Sequence, residues 1–198
     1  MTTSMEVARY WDEQAGTFDD EPDHGLADPL VREAWARLLL PLVPASASVA
    51  DLGSGTGSLA VLLGRSGHSV SGVDIAPRMV AAARAKAATT GVPADFVVGD
   101  AAAPPWAPGT FDVVVSRHVL WAMPDPDQAL RRWTALLRPG GLLLLVEGRW
   151  STGSGLTAEE VTELVRRHRA EVTVTPLKDP AYWGGPIVDE RYLLTSPR

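Results

Sequence analysis

The sequence predicts a three-layer α/β protein, a mostly parallel, doubly wound sheet between helices, and three observations carry that expectation. Short apolar runs at 48–52, 69–73, 94–98, 112–116 and 141–147 alternate with segments of helical length, the pattern of parallel strands joined by crossover helices. Gly and Pro fall at the ends of the helical segments rather than in their middles. Near residue 170 the alternation stops. AEVTVTPL (170–177) and DERYLLTSPR (189–198) both read as strands, and KDPAYWGGPIV between them leaves no room for a helix, so an antiparallel pair closes the sheet.

Taken in order, Val7, Tyr10, Trp11, Ala15 and Phe18 recur at spacings of three and four, as do Leu30, Val31, Ala34, Trp35, Leu38, Leu39 and Leu42. Two helices are therefore expected ahead of the first strand. The acidic stretch DDEPDHGLADP (19–29) reads as a loop between them. After the strand at 48–52, a helix begins near Ser58. Pro77 suits a first helical position after Ala76, and the Ala-rich run from Met79 to Ala88 is a strong helix former. Asp125 and Pro126 read as a cap and first turn, and Thr157 with Glu160 as a capping box. Gly91 and Gly140 are placed where helices stop.

At 198 residues, 45% of them hydrophobic and 21% charged, the chain suits one well-buried core. The expected organisation is a single domain over 1–198: N-terminal helices and lid at 1–46, a core at 47–150, and a C-terminal helix with the antiparallel strands at 151–198. A net charge of -6 argues against a nucleic-acid partner, which requires clustered Lys and Arg. The densest pairs, Arg131-Arg132 and Arg166-Arg167, fall on amphipathic helices and read as solvated faces. The absence of Cys excludes disulfides and thiolate ligands, and four scattered His do not suggest a metal site. MTTSMEVARYWDEQAG lacks the features of a secretory signal, and LLLLV at 142–146 is too short to span a bilayer. The expectation is a cytoplasmic protein without a membrane partner.

The stretch VADLGSGTGSLA (49–60) holds the chemistry. Asp51 lies near the end of the first strand, and Gly53-Ser54-Gly55-Thr56-Gly57 leads into a helix. Such a turn brings a ligand against bare backbone and offers free N–H groups. Ser58 stands where a dinucleotide fingerprint wants its third glycine, and no Gly-Lys-Ser/Thr ending marks a phosphate loop. Asp51 would repel a pyrophosphate and suits a cationic group such as an ammonium. Asp74, ending the second strand, is placed to accept from both hydroxyls of a ribose, and Asp100, after the third, from an exocyclic amine. Each acid taken singly also reads as a cap or a solvated strand end.

With these residues in view, 49–147 resembles the class I S-adenosylmethionine-dependent methyltransferases, a Rossmann-like family. DLGSGTG matches its first motif, Asp74 its second-strand acid, and GDA at 99–101 its adenine loop. SRHVLWAMPDPDQALRRWTALLRPGGLLLLVEGRW (116–150) resembles the later motifs of the small-molecule branch. The resemblance implies a seven-stranded sheet of order 3-2-1-4-5-7-6 with strand 7 antiparallel. It implies S-adenosylmethionine as cofactor, with S-adenosylhomocysteine as product. The turn at Gly53, Ser54, Gly55 and Gly57 would face the methionine portion and Asp74 the ribose. Asp100 and the Ala101 backbone would read the adenine, with Ile75 against its ring and Arg117 beside the methionine.

Methyl transfer requires alignment and exclusion of water, and a base only where the acceptor must lose a proton. His24 and His118 are the candidates, each equally readable as an ordinary capping or surface histidine. The first helix, through Tyr10, Trp11 and Phe18, is the expected lid, with Tyr10 and Phe18 assigned to the cofactor. Trp150 and Trp183 are read either as rim residues or as packing tryptophans. The expected acceptor is a small molecule, partly hydrophobic or aromatic. The competing expectations are a non-catalytic module that binds S-adenosylmethionine or S-adenosylhomocysteine, and a nicotinamide-dependent oxidoreductase, which Asp51 and Ser58 disfavour.

Overall fold

The computed structural model describes residues 4–197. Residues 1–3 and Arg198, the outermost parts of the expected lid and last strand, lie outside the described residues. The apolar runs become β1 (Ser48–Leu52), β2 (Ser69–Asp74), β3 (Ala94–Val98), β4 (Phe111–Arg117) and β5 (Leu137–Arg149), followed by β6 (Thr173–Pro176) and β7 (Glu190–Ser196). Among the described residues they form a seven-stranded sheet in the order β3-β2-β1-β4-β5-β7-β6. Neighbours from β3 to β5 pair parallel, and β7 runs antiparallel to both β5 and β6. This is the predicted topology.

Helices α4 (Ser58–Arg65), α5 (Pro77–Thr90), α6 (Pro126–Ala135) and α7 (Ala158–Arg166) connect the strands. Their ends follow the sequence signals. Pro77 opens α5 and the left-handed Gly91 closes it. The Asp125 side chain accepts from Gln128 N, and the Thr157–Glu160 capping box forms in both directions. Gly140 does not stop a helix: α6 closes at Leu136, and Gly140 lies within β5, which is longer than its apolar run suggests.

The N-terminal segment also departs from the expected pattern. Helix α1 (Ser4–Gln14) stops short of Ala15 and Phe18, because Gly16 and Thr17 are poor helix formers. A 3-10 turn at Phe18–Asp20 follows, and the supposed loop contains a short helix, α2 (Pro22–Gly25). Pro22 favours that helix start. Helix α3 (Pro29–Leu39), capped by Asp28 through Leu30 N at 2.8 Å, ends before Leu42.

Alternation along the strands divides the core between the two sheet faces. Val49, Val113, Val115, Leu144 and Val146 pack with α3, α4 and α5. Ala50, Leu52, Val114, Leu143 and Leu145 pack with α6 and α7, around the fully buried Trp133. No helix among the described residues is long and apolar enough to cross a membrane. With both faces covered, the carboxyl ends of the parallel strands remain as the place where polar loops converge.

Candidate active site

A cavity of about 590 Å³ opens there, within the roughly 300–1,000 Å³ usual for small-ligand sites. Its lining includes the glycine turn, the ends of β1, β2 and β4, the loop after β3, the N-terminal segment and the start of β7. Sequence reading placed Phe18, His24, Asp51, Gly53, Ser54, Gly55, Asp74, Ile75, Asp100, Ala101, Arg117 and His118 in a site, and all of them line this cavity. Gly57 and Tyr10 do not.

One side is built by backbone. The N–H groups of Gly53 and Ser54 both donate to the Val73 carbonyl, at 2.8 and 2.9 Å, tying the turn to β2. Gly53 sits at φ +72, and a Cβ there would overlap the Val119 side chain. Gly57 supports the turn from behind. As the left-handed N-cap of α4, it leaves space that a Cβ would close to 2.9 Å from Ala83 Cβ and 3.0 Å from Phe96.

Asp74 takes one N–H on each carboxylate oxygen, Gly55 N at 2.8 Å and Ala76 N at 2.9 Å. Each oxygen retains further acceptor capacity toward the cavity. Burial raises its pKa, partly countered by those backbone donors. Asp51 is only 2% exposed, and burial pushes its carboxyl up to about 7, with Arg117 opposing and Asp74 reinforcing the rise. Asp51 Oδ2 and Ser54 Oγ are buried and lack hydrogen-bond partners among the described residues. Asp100 closes its own loop by accepting from Ala102 N at 2.8 Å.

The N-terminal segment covers the cavity and is fastened at three points. Asp12 Oδ1 accepts from Arg78 N at 2.7 Å, joining α1 to α5. Asp19 pairs with Lys86 at 2.8 Å and accepts from Thr56 Oγ1 at 2.5 Å. The half-buried Arg117 donates to the carbonyls of Asp23 and His24 in α2. Arg117 is thus a clasp for the cover as well as a cavity residue. Phe18 stacks on His24 with centroids 4.3 Å apart and meets Trp11 edge-on. Tyr10 corrects the expectation. It is 56% exposed and does not line the cavity, whereas Trp11 together with Val7 and Ser4 does.

The opposite side is built by side chains. His118 adopts φ +60, unusual for a residue with a Cβ. Its N–H donates to Val146 O at 2.8 Å, and its carbonyl accepts from Trp121 Nε1 at 2.9 Å. Behind it, Glu147 Oε1 accepts from Val119 N at 3.0 Å and Leu120 N at 2.7 Å. Burial raises the Glu147 carboxyl to about 8. The His118 ring faces Trp150 and Trp183, and both its nitrogens are buried without partners among the described residues. Burial first, then Arg117, Arg191 and His24, hold His118 well below its ordinary pKa. Arg191, from β7, lies over Trp150 at 4.9 Å and Trp183 at 5.1 Å. Of the two rim candidates, Trp150 lines the cavity, while Trp183 is buried and donates to Leu177 O.

Sequence reading missed Glu147, Trp121 and Arg191. Glu147 left a signal, a lone acid ending an otherwise apolar strand. Arg191 left none, since its place depends on β7 lying beside β5. No group of three or more potential metal ligands occurs among the described residues.

Comparison with known proteins agrees with this geometry. Residues 50–145 match a family model described as a methyltransferase domain. The chain is 36% identical over 140 residues to the ubiquinone biosynthesis O-methyltransferase of Xanthomonas euvesicatoria pv. vesicatoria, covering 69% of this chain and 55% of that protein. It is 38% identical over 110 residues to the demethylmenaquinone methyltransferase of Thermus thermophilus, covering 54% of this chain and 50% of that one. The chain therefore spans about half the length of these curated relatives. Among solved structures, the [4+2]-cyclase SpnF superposes with a TM-score of 0.78 at 22% identity, over 99% of this chain and 97% of that one. A geranyl diphosphate methyltransferase gives 0.69 at 18%, over 83% and 77%. These two likenesses show the fold, and a cyclase among them shows that the fold alone does not fix the reaction. With its motifs, its sheet order and its curated relatives in agreement, the chain belongs to the class I S-adenosylmethionine-dependent methyltransferase family.

Proposed function

We propose that the protein transfers the methyl group of S-adenosylmethionine to a small, flat, partly hydrophobic acceptor. The observation that carries this reading is the pair of unpartnered buried oxygens, Asp51 Oδ2 and Ser54 Oγ, in residues that line a cavity floored by the glycine turn. Buried acceptors without donors are destabilising unless a ligand supplies them. S-adenosylmethionine has donors of the matching kinds, an ammonium, two ribose hydroxyls and an adenine amine. The residues present fit it: Asp51 and Ser54 for the ammonium, Asp74 for the ribose, Asp100 and Ala101 for the adenine, and Ile75 for its ring.

When bound, the cofactor supplies an electrophilic methyl group on a sulfonium. The protein's own contribution is binding, orientation and exclusion of water. Trp11, Phe18 and His24 form the cover, held by the Asp19 and Arg117 contacts. Trp121, Met123 and Trp150 supply an apolar wall for the acceptor. The relatives named for quinone biosynthesis support a flat ring as that acceptor. A module that only bound the cofactor would leave this second wall without a use.

Calorimetric titration with S-adenosylmethionine, with NAD as control, tests the reading. Micromolar affinity for the former is expected, lost in Asp74→Ala, with silence toward NAD. Because Asp51 titrates at about 7 and its ionised form attracts the ammonium, affinity should weaken as pH falls below that value, by at most about tenfold per unit. Binding near neutrality should also release protons, read as a dependence of the heat on buffer. Absence of S-adenosylmethionine binding would sink the proposal.

A further inference from the structure

The loop after β3 runs Asp100-Ala101-Ala102-Ala103-Pro104-Pro105. Three alanines bring no polar side chain and two prolines bring no N–H, so the loop has little with which to hold itself in shape. Its support comes from its neighbours. Gly99 N donates to Asp74 O at 2.9 Å, which fixes where the loop leaves the sheet. From α6, Trp133 Nε1 donates to Ala101 O at 2.7 Å and Arg132 Nη1 to Ala102 O at 2.6 Å.

The two bonds from α6 complete a frame. The peptide joining Ala101 to Ala102 is held at its carbonyl by Trp133 and at its N–H by Asp100 Oδ1, 2.8 Å from Ala102 N. The next peptide is held at its carbonyl by Arg132 and at its N–H by the Asp100 carbonyl, 2.9 Å from Ala103 N. A planar peptide bonded at both ends has a fixed orientation. What the frame leaves unused is the Ala101 N–H, which has no acceptor among the described residues, and the second carboxylate oxygen of Asp100. Both residues line the cavity.

Helix α6 is anchored independently of this loop. Asp125 caps it, Ala129, Leu130 and Trp133 are buried, and Asp127 meets Arg167 and His168 at 3.3 and 3.1 Å just beyond α7. A fully buried indole needs an acceptor for its N–H, and Trp133 finds it in the carbonyl of a cavity residue. We propose that Trp133 and Arg132 are positioning residues: they hold 100–103 so that the Ala101 N–H and the Asp100 carboxylate stand as a donor beside an acceptor, and thereby set a preference for a 6-amino over a 6-oxo purine. Neither side chain lines the cavity, so both act through the loop. A 6-aminopurine presents a ring-nitrogen acceptor next to an amine donor, the complement of that pair, whereas a 6-oxopurine presents the reverse and opposes both groups. The inference rests on the methyltransferase reading, which brings such a ring to the loop.

Calorimetric titration with S-adenosylhomocysteine and S-inosylhomocysteine tests this, because the two differ only in the edge of the ring that the pair would meet. The wild-type protein should bind the adenine compound more tightly by about a hundredfold or more. Trp133→Phe keeps an aromatic ring in the core and removes the donor. The affinity ratio should then fall by about tenfold, through weaker binding of the adenine compound. Arg132→Met should lower the ratio by about two- to threefold, and Arg132→Lys should restore most of it. A merely structural loss would weaken both compounds alike and leave the ratio where it was. Arg132 is exposed, so its variants decide the matter where Trp133→Phe fails to fold. Equal binding of the two compounds by the wild type, or a ratio unmoved in the folded variants, overturns the inference alone. Binding of neither compound defeats the methyltransferase reading instead.

Discussion

The side of the cavity next to the glycine turn is acidic and made largely of backbone; the side next to β7 is aromatic and cationic and made of side chains. Asp51, Asp74 and Asp100 stand at the carboxyl ends of adjacent strands, and the donors to Asp74 and Asp100 are backbone N–H groups of nearby loops, those of Gly55, Ala76 and Ala102. His118, Trp150 and Arg191 come instead from β4, the region after β5 and β7, and meet only because those strands are neighbours. The first arrangement suits a ligand that is the same throughout a family. The second can change with the acceptor while leaving the first intact.

The largest effect should come from the residue that belongs to both sides. Arg117→Ala removes the charge opposing Asp51 and the donors to the α2 carbonyls. Loss of one member of a buried charged set destabilises by about 3–5 kcal/mol, measurable by urea unfolding.

A second test is pH. Burial raises Glu147 from 4.5 to about 8, so in that window the folded protein holds a proton that the unfolded chain has released. Stability should therefore be greatest below the lower value and decline as pH rises to the upper, by at most about 1.4 kcal/mol per unit. Glu147→Gln, which keeps an oxygen for Val119 N and Leu120 N, should flatten much of that decline. Asp51 contributes with the same sign up to about 7. His118, held below its ordinary value, contributes with the opposite sign in the lower part of the window, so the test is the difference from Glu147→Gln: a wild-type minus variant urea midpoint that rises with pH would contradict the assignment.

The glycines give a graded comparison. Gly53→Ala combines a left-handed backbone, about 1–2 kcal/mol, with overlap on Val119, and should abolish cofactor binding. Gly55→Ala meets only Phe18 Cε1 at 3.5 Å, so its destabilisation should be about 1–2 kcal/mol. Equal losses in a thermal unfolding comparison would show that space at Gly53 is not what matters. The smallest effect is expected from Asp19→Ala. The ion pair is partly exposed, so stability should change by less than about 1 kcal/mol. Hydrogen exchange in residues 15–25 should nevertheless accelerate, because that contact fastens the cover.

The same contrast explains what could be read in the chain. The acidic side was legible because strand, turn and acid are local features: Asp51, Asp74 and Asp100 each follow an apolar run, and each lines the cavity. The aromatic side was legible only where a residue happened to follow a strand, as His118 does. Arg191 depends on sheet order, a long-range property. Tyr10 and Trp11 shared one helical pattern, and the choice between them rests on how α1 is turned, fixed by Asp12 against α5. Gly140 misled because glycine marks helix ends and irregular strand entries alike.

The reversed direction of β7 has a consequence for the order in which the protein becomes functional during synthesis. A chain extended through β4 already contains Asp51, the glycine turn, Asp74 and Asp100. The aromatic and cationic side must wait for residue 191, because only an antiparallel last strand begins at the edge where the others end. On the proposed reading, a chain emerging from a ribosome in sequence order acquires the means to hold its cofactor well before the means to choose a substrate.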